Sequence, residues 1–238
     1  MASELVLLHG FTHSGASWRR VADALGERYR PLARDLRGHA SASAVTPVSL
    51  DAVLGDLGTL AADRCDLVGY SMGGRIALHA ALAAGRRVRR LVLIGASPGL
   101  ADAGERAARR AADERLADQV QAMTIEAFAQ RWAQTPVLAG LPAAVAAEVH
   151  ADRLRSTPQG LARALRGLGT GALPSLWERL DQLTIPVTLV VGECDAKFLA
   201  IAERMAAALP SGEVVVVPDV GHAVHLQAPE AVATVIAG

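Results

Sequence analysis

The apolar residues of this chain fall into short runs, separated by longer stretches of helical spacing. Glu4 to Leu8 is the first run and ends in the tight turn His9-Gly10-Phe11. Tyr29 to Leu36 is the second, closed by Asp35-Leu36-Arg37-Gly38-His39. Cys65 to Val68, Val88 to Ile94, Val187 to Val191 and Glu213 to Val217 follow. Short runs rich in Val, Leu and Ile predict buried strands. Between them, helical periods run from Ser17 and Trp18 to Leu25, Leu50 to Ala62, Ile76 to Ala84, Phe198 to Leu209, and Pro229 to Ala237. This alternation predicts an α/β fold: a mostly parallel sheet of about six strands with helices on both faces.

The rhythm breaks after the fourth strand. From Pro98 to Pro174 the chain is rich in Ala, Arg and Glu, has helical periods and holds no convincing strand. No Gly/Ser linker sets this stretch apart, and no internal repeat is visible. The reading is one domain with an α/β core, residues 1–97 and 175–238, and a helical insertion, 98–174, that caps it.

Composition narrows the partners. A chain of 238 residues fits one generous domain. Its 24 basic and 24 acidic side chains balance, so nothing argues for nucleic acid or an anionic membrane. Lys197 is the only lysine; the other basic side chains are arginine, whose fork suits carboxylates. No apolar run reaches the length of a membrane span. Met1 to His9 lacks a basic region followed by a signal-like apolar stretch. A cytoplasmic protein is expected. Two cysteines are too few for a disulfide framework. Cys65 and Cys194 each precede an aspartate at the end of an apolar run, and both are expected to be core thiols.

The sharpest chemical signal is Gly69-Tyr70-Ser71-Met72-Gly73, a G-x-S-x-G pattern between the third strand and its helix. Such a turn forces the serine into a sparsely allowed backbone region, and glycines let strand and helix approach. A serine hydroxyl is a poor nucleophile until a histidine takes its proton, and that histidine needs an acceptor on its other nitrogen. Asp195 follows the Val187–Val191 run and His222 follows the Glu213–Val217 run. Ser71, Asp195 and His222 would therefore meet at the C-terminal edge of the sheet, where open α/β sheets bind ligands. Asp195 is alternatively a turn residue or the N-cap of the Phe198 helix. Asp219 is a rival acid, although it lies in the histidine's own loop. His225 competes with His222 or supports it.

With a strand before and a helix after, Cys65 to Ala77 resembles the nucleophile elbow of the α/β hydrolases. That resemblance places Gly221-His222 at the family's G-H. It assigns the oxyanion hole to the backbone N–H groups of Phe11 and Met72. His9-Gly10 would shape its turn, and His39 would be structural. No counterpart of the two antiparallel strands that begin many members is expected in this sequence.

Finer motifs carry the resemblance further. The elbow continues to Arg75. Pro98-Gly99-Leu100 opens the insertion, followed by Glu105 to Arg109, Phe128 to Trp132 with Pro136 downstream, and Arg153. Gly160 to Arg166, Gly169 to Gly171, Pro174 to Trp177, Gly192 to Phe198 and Gly221 to His225 complete the set. Over nearly the whole chain, these motifs resemble the 2-succinyl-6-hydroxy-2,4-cyclohexadiene-1-carboxylate synthases of menaquinone biosynthesis.

That resemblance implies a lyase with a hydrolase fold, expelling pyruvate from a small polycarboxylate, with no cofactor and no metal. It implies Arg75, Arg109 and Arg153 as substrate-binding residues, with Tyr70 and Trp132 beside them. Each arginine has a plainer alternative on a solvated helix, paired for example as Glu105 with Arg109. Arg106 and Arg110 are read as surface residues, and Trp132 is alternatively core. Two other functions stay open: a hydrolase of ester or carbon–carbon bonds in a small carboxylated substrate, and a ligand-binding member without turnover. The sequence carries no signal for oligomeric state.

Overall fold

The computed structural model describes residues 3–60, 64–84, 87–135 and 141–238. Met1, Ala62 and Pro136, each named in the sequence reading, lie outside them. Six strands form one parallel sheet: β1 (Ser3–Leu8), β2 (Tyr29–Leu32), β3 (Cys65–Tyr70), β4 (Val88–Ile94), β5 (Val187–Gly192) and β6 (Gly212–Val217). Their order is β2-β1-β3-β4-β5-β6. The chain therefore leaves β1 toward one edge and returns to its other side at β3. The crevice between the ends of β1 and β3 is the switch point at which such sheets bind ligands.

The period-two alternation of each strand divides the core. Val6, Leu8, Leu67, Leu91, Leu93 and Leu189 pack on one face. Leu5, Leu7, Val68, Val92, Ile94 and Val190 pack on the other. Helices α2 (Leu50–Leu60), α3 (Met72–Ala84) and α8 (Ala196–Ala208) cover the first face through Val53, Ile76 and Met205. Helices α1 (Arg19–Leu25) and α10 (Pro229–Ala237) cover the second through Val21, Val232 and Ile236. Because both faces are covered, the central strands read as continuous apolar runs rather than alternating ones.

The second strand is shorter than its apolar run. It ends at Leu32, not Leu36. It is an edge strand and holds Pro31, which has no N–H to donate. The chain then swings away so that the Asp35 carboxylate accepts from the N–H groups of Gly15 and Ser41.

Between β4 and β5 lie α4 (Ala103–Gln121), α5 (Ile125–Ala133), α6 (Ala143–Arg153) and α7 (Pro158–Leu168), with no strand among the described residues. Asp102, Thr124 and Thr157 cap α4, α5 and α7 by accepting from backbone N–H groups, as their residue types favour. Ala117, Val120, Phe128, Leu161 and Leu165 form a small apolar core of their own. The stretch leaves and rejoins the core at one point: the Leu176 N–H donates to the Pro98 carbonyl at 2.8 Å.

Cys65 is buried, but Cys194 is exposed, so the expectation of two core thiols is corrected. Cys194 lies in the turn after β5, where the chain has already left the sheet. Arg106 is also less exposed than expected, because its guanidinium donates to the Leu100 carbonyl.

Candidate active site

Ser71 stands between β3 and α3 with φ at 51°, a left-handed value that a side chain rarely adopts. The surroundings impose it. A Cβ on Gly73 would fall 2.3 Å from the Leu8 carbonyl oxygen, and one on Gly74 would fall 2.5 Å from the Ala96 Cβ. The Ser71 N–H donates to the Ile94 carbonyl at 2.9 Å, which fixes the elbow to the end of β4.

Two other strand ends bring up its partners. His222 Nε2 lies 3.1 Å from Ser71 Oγ, and His222 Nδ1 lies 2.7 Å from Asp195 Oδ2. A carboxylate can only accept, so the neutral ring keeps its proton on Nδ1 and Nε2 is left to accept from the serine. Asp195 also caps α8: its Oδ1 accepts from the Phe198 N–H at 3.3 Å. The two uses of Asp195 that the sequence set against each other occur together, one on each oxygen. Asp219 is exposed, and its backbone N–H donates to Glu193. The Phe198 ring, 4.4 Å from that of His222 by centroids, covers the imidazole.

The turn after β1 supplies the opposite wall. Gly10 is required there, since a Cβ would meet the Tyr70 ring at 2.6 Å. His9 shapes the turn: its Nε2 accepts from the Leu36 N–H, and its Nδ1 lies 2.9 Å from the Gly10 carbonyl. Thr12 has φ at 69°, strained for a β-branched residue. This loop is held from the helical segment. Asp152 of α6 accepts from both the N–H and the hydroxyl of Ser14, and Arg153 Nε donates to Thr12 Oγ1 at 3.3 Å.

A cavity of about 490 Å³ opens over Ser71 and His222. Phe11, Met72, Arg75, Arg109 and Trp132 line it, as does Glu105. Burial, and secondarily the charge of Arg109, lowers the Arg75 guanidinium to about 10, and its Nε has no partner. Asp113 acts on it only through space, and a buried cation with no carboxylate in contact is costly unless an anion arrives. Arg109 pairs with Asp113 at 2.7 Å rather than with Glu105, and it is 47% exposed. Trp132 packs edge-on against Phe11 while facing the cavity.

Arg153 and Tyr70 are placed differently. Both are buried, and neither is on the wall of this cavity. Arg153 lies behind the Thr12 turn, where burial lowers it to about 10 and Nη2 lacks a partner. Burial, with the Asp195 charge, holds the Tyr70 phenol well above its ordinary range. Lys197, Arg204 and Trp177 also line the cavity; the first and last fell within quoted motifs but were given no role, and Arg204 was not singled out from the sequence. The signal was present as the helical spacing of Lys197, Ile201 and Arg204, which puts them on one face of α8.

Several histidines lie buried around the site. Burial holds His39 and His225 down to about 3 and His79 to about 4, from an ordinary 6.5. The His225 ring packs at a tilt against that of Tyr70, 4.2 Å away by centroids, with neither ring nitrogen bonded. The unfolded chain takes up protons below pH 6.5 that the folded chain refuses. Stability is therefore complete above that value and is lost as the pH falls toward 4. The Tm is expected to drop steadily between pH 6.5 and 4.5, and less steeply in His225→Phe. Equal slopes for the two proteins would contradict this account.

The chain matches the alpha/beta hydrolase family over residues 5–235. It is 38% identical over 239 residues to the putative 2-succinyl-6-hydroxy-2,4-cyclohexadiene-1-carboxylate synthase of Bacillus subtilis, across 96% of this chain and 87% of that one. It is 35% identical to the synthase of the same name from Serratia proteamaculans, across 96% of this chain and 89% of that one. Among solved structures it superposes on MenH from S. aureus with a TM-score of 0.93 at 29% identity, covering 99% of this chain and 92% of that one. A thermophilic esterase from Thermogutta terrifontis, at 24% identity and a TM-score of 0.84, shares the fold.

Proposed function

The chain belongs to the α/β-hydrolase family, and from that premise we propose that it is a lyase of menaquinone biosynthesis. It would eliminate pyruvate from 2-succinyl-5-enolpyruvyl-6-hydroxy-3-cyclohexene-1-carboxylate to give 2-succinyl-6-hydroxy-2,4-cyclohexadiene-1-carboxylate. The observation that carries the reading is the cavity itself. A serine–histidine–aspartate chain, linked at 3.1 and 2.7 Å, opens into a space lined by an unpaired, buried arginine. The product named for its relatives is a carboxylate-bearing ring.

In this mechanism His222, oriented by Asp195, takes the Ser71 proton. The serine oxyanion removes the acidic C–H proton next to the succinyl carbonyl, and the electron pair moves into the ring. The carbon–oxygen bond to the enolpyruvyl group breaks, and the protonated His222 returns a proton as pyruvate forms. No covalent acyl-enzyme is needed. The N–H of Met72, at the start of α3 where backbone donors favour negative charge, and that of Phe11, in the turn after β1, hold the enolate oxygen. Arg75 and Arg109 receive carboxylates from the cavity wall. Arg153 and Tyr70 act from behind it.

A coupled lactate dehydrogenase assay on the cyclohexene precursor tests reaction and substrate together. Pyruvate release faster than turnover of simple nitrophenyl esters is expected. Efficient ester hydrolysis with no pyruvate would show a hydrolase instead.

A further inference from the structure

We propose that Arg204, seated on Trp177, binds the substrate carboxylate furthest from the breaking bond and so selects polycarboxylates over simpler acids. The proposal rests on the lyase reading above, which supplies a substrate with three carboxylates. It adds a receptor that the sequence motifs did not assign.

Helix α8 begins at the triad, where Asp195 both caps it and holds His222. Lys197, Phe198, Ile201 and Arg204 then face the cavity in turn. Lys197 and Arg204 are seven residues apart on this helix, a rise of about 10 Å. One wall of the cavity thus runs from the reacting serine outward, with a cation at each end. That span suits an anionic group on a side chain of the substrate rather than the ring carboxylate beside the carbon that loses its proton.

Arg204 is built to stay there. Its guanidinium carbon lies 4.0 Å from the centre of the Trp177 ring. Trp177 is itself fixed, donating from Nε1 to the Gly99 carbonyl at 3.1 Å. Stacking occupies the face of the guanidinium and leaves its edge of N–H donors for a bidentate carboxylate.

Carboxylates hold several arginines elsewhere in the molecule. Arg37 pairs with Asp56, Arg166 with Glu114 and Asp118, and Arg89 and Arg90 with Asp66. Among the described residues neither Lys197 nor Arg204 has an ion pair. Among the described residues the cavity wall carries Arg75, Arg109, Lys197 and Arg204 against the carboxylate of Glu105, with Arg109 already paired to Asp113. An arginine kept in place by a tryptophan, and left without an acid, is matched to an acid from outside.

Two measurements test this. In the pyruvate assay, Arg204→Gln should raise KM roughly tenfold with kcat within about twofold, the loss of one charged hydrogen-bonded contact at a solvent-facing site. Arg204→Lys should fall between. An unchanged KM overturns the proposal. Calorimetric titration needs no turnover and separates this from a failure of the lyase reading. Wild type should bind benzene-1,3,5-tricarboxylate more tightly than benzoate. Arg204→Gln should lose roughly tenfold on the tricarboxylate alone. Equal loss on both acids, no loss, or no binding of the tricarboxylate by wild type overturns it. If wild type releases no pyruvate, the lyase reading fails and the titration alone decides.

Discussion

Ser71→Ala is expected to lower kcat for pyruvate release by on the order of a thousandfold, the scale of a lost general base. The substitution removes one oxygen and little else. Alanine keeps the Cβ, so the strained φ of 51° costs the same in both proteins. The Ser71 N–H bond to Ile94 is a backbone contact and survives. What disappears is the oxygen 3.1 Å from His222 Nε2, leaving no group at the point where the proposed mechanism takes the substrate proton. His222 could reach that proton only by crossing the gap itself. The expected pattern is an unchanged Tm, near-normal substrate binding and almost no turnover. A variant that keeps more than about a tenth of parental kcat would mean that the serine is not the base.

The largest effect on stability is expected at Gly73. Alanine there would bring a methyl to 2.3 Å from the Leu8 carbonyl and 2.5 Å from that of His9. Neither is the end of a flexible side chain. Both belong to the backbone of β1 and its turn, so α3 must tilt away or β1 must bend. Overpacking of this kind costs about 2–3 kcal/mol, and in a domain of this size that lowers Tm by roughly 5–10 °C. Activity should fall as well, because the same shift separates the elbow from the turn that carries Phe11. Gly55 is the control. It is exposed in α2, and a Cβ there meets nothing within 4 Å. Gly55→Ala should raise stability by about 0.5–1 kcal/mol, the ordinary gain of alanine over glycine in a helix. Thermal melts of the two variants should move in opposite directions, and a shift of the same sign would refute the steric argument.

Much of this architecture was legible because it is local. Apolar runs marked all six strands to within a few residues, as at Val187–Gly192, since both sheet faces are covered and polar residues such as Asp66, Arg89, Arg90 and Thr188 fall near the strand starts. Glycine spacing marked the elbow, because close strand–helix approach leaves no other residue type. Pro229 to Ala237 was read end to end, since proline fits the first turn of a helix. What stayed hidden depends on distant partners. The length of β2 is set by Asp35 reaching to Gly15 and Ser41. The pairing of Arg109 follows from Asp113 being buried, where its other oxygen accepts from Gly171. Motif placement set Arg153 beside the other arginines, yet its contact is Thr12, 141 positions earlier. Arg204 needed Trp177 from another element before its place had meaning.

The hydrogen bond from Leu176 to Pro98 has a consequence for how such molecules diversify. β4 and β5 are sheet neighbours whether the excursion between them is long or short. An alternative set of helices grafted at that seam would leave strand register, elbow and imidazole undisturbed. The graft would need to bring its own equivalents of Asp152 and Arg153 to grip the Thr12–Ser14 turn. The part of selectivity that Arg109 and Trp132 carry can then be rewritten separately from reactivity, by exchanging a module whose two ends already touch.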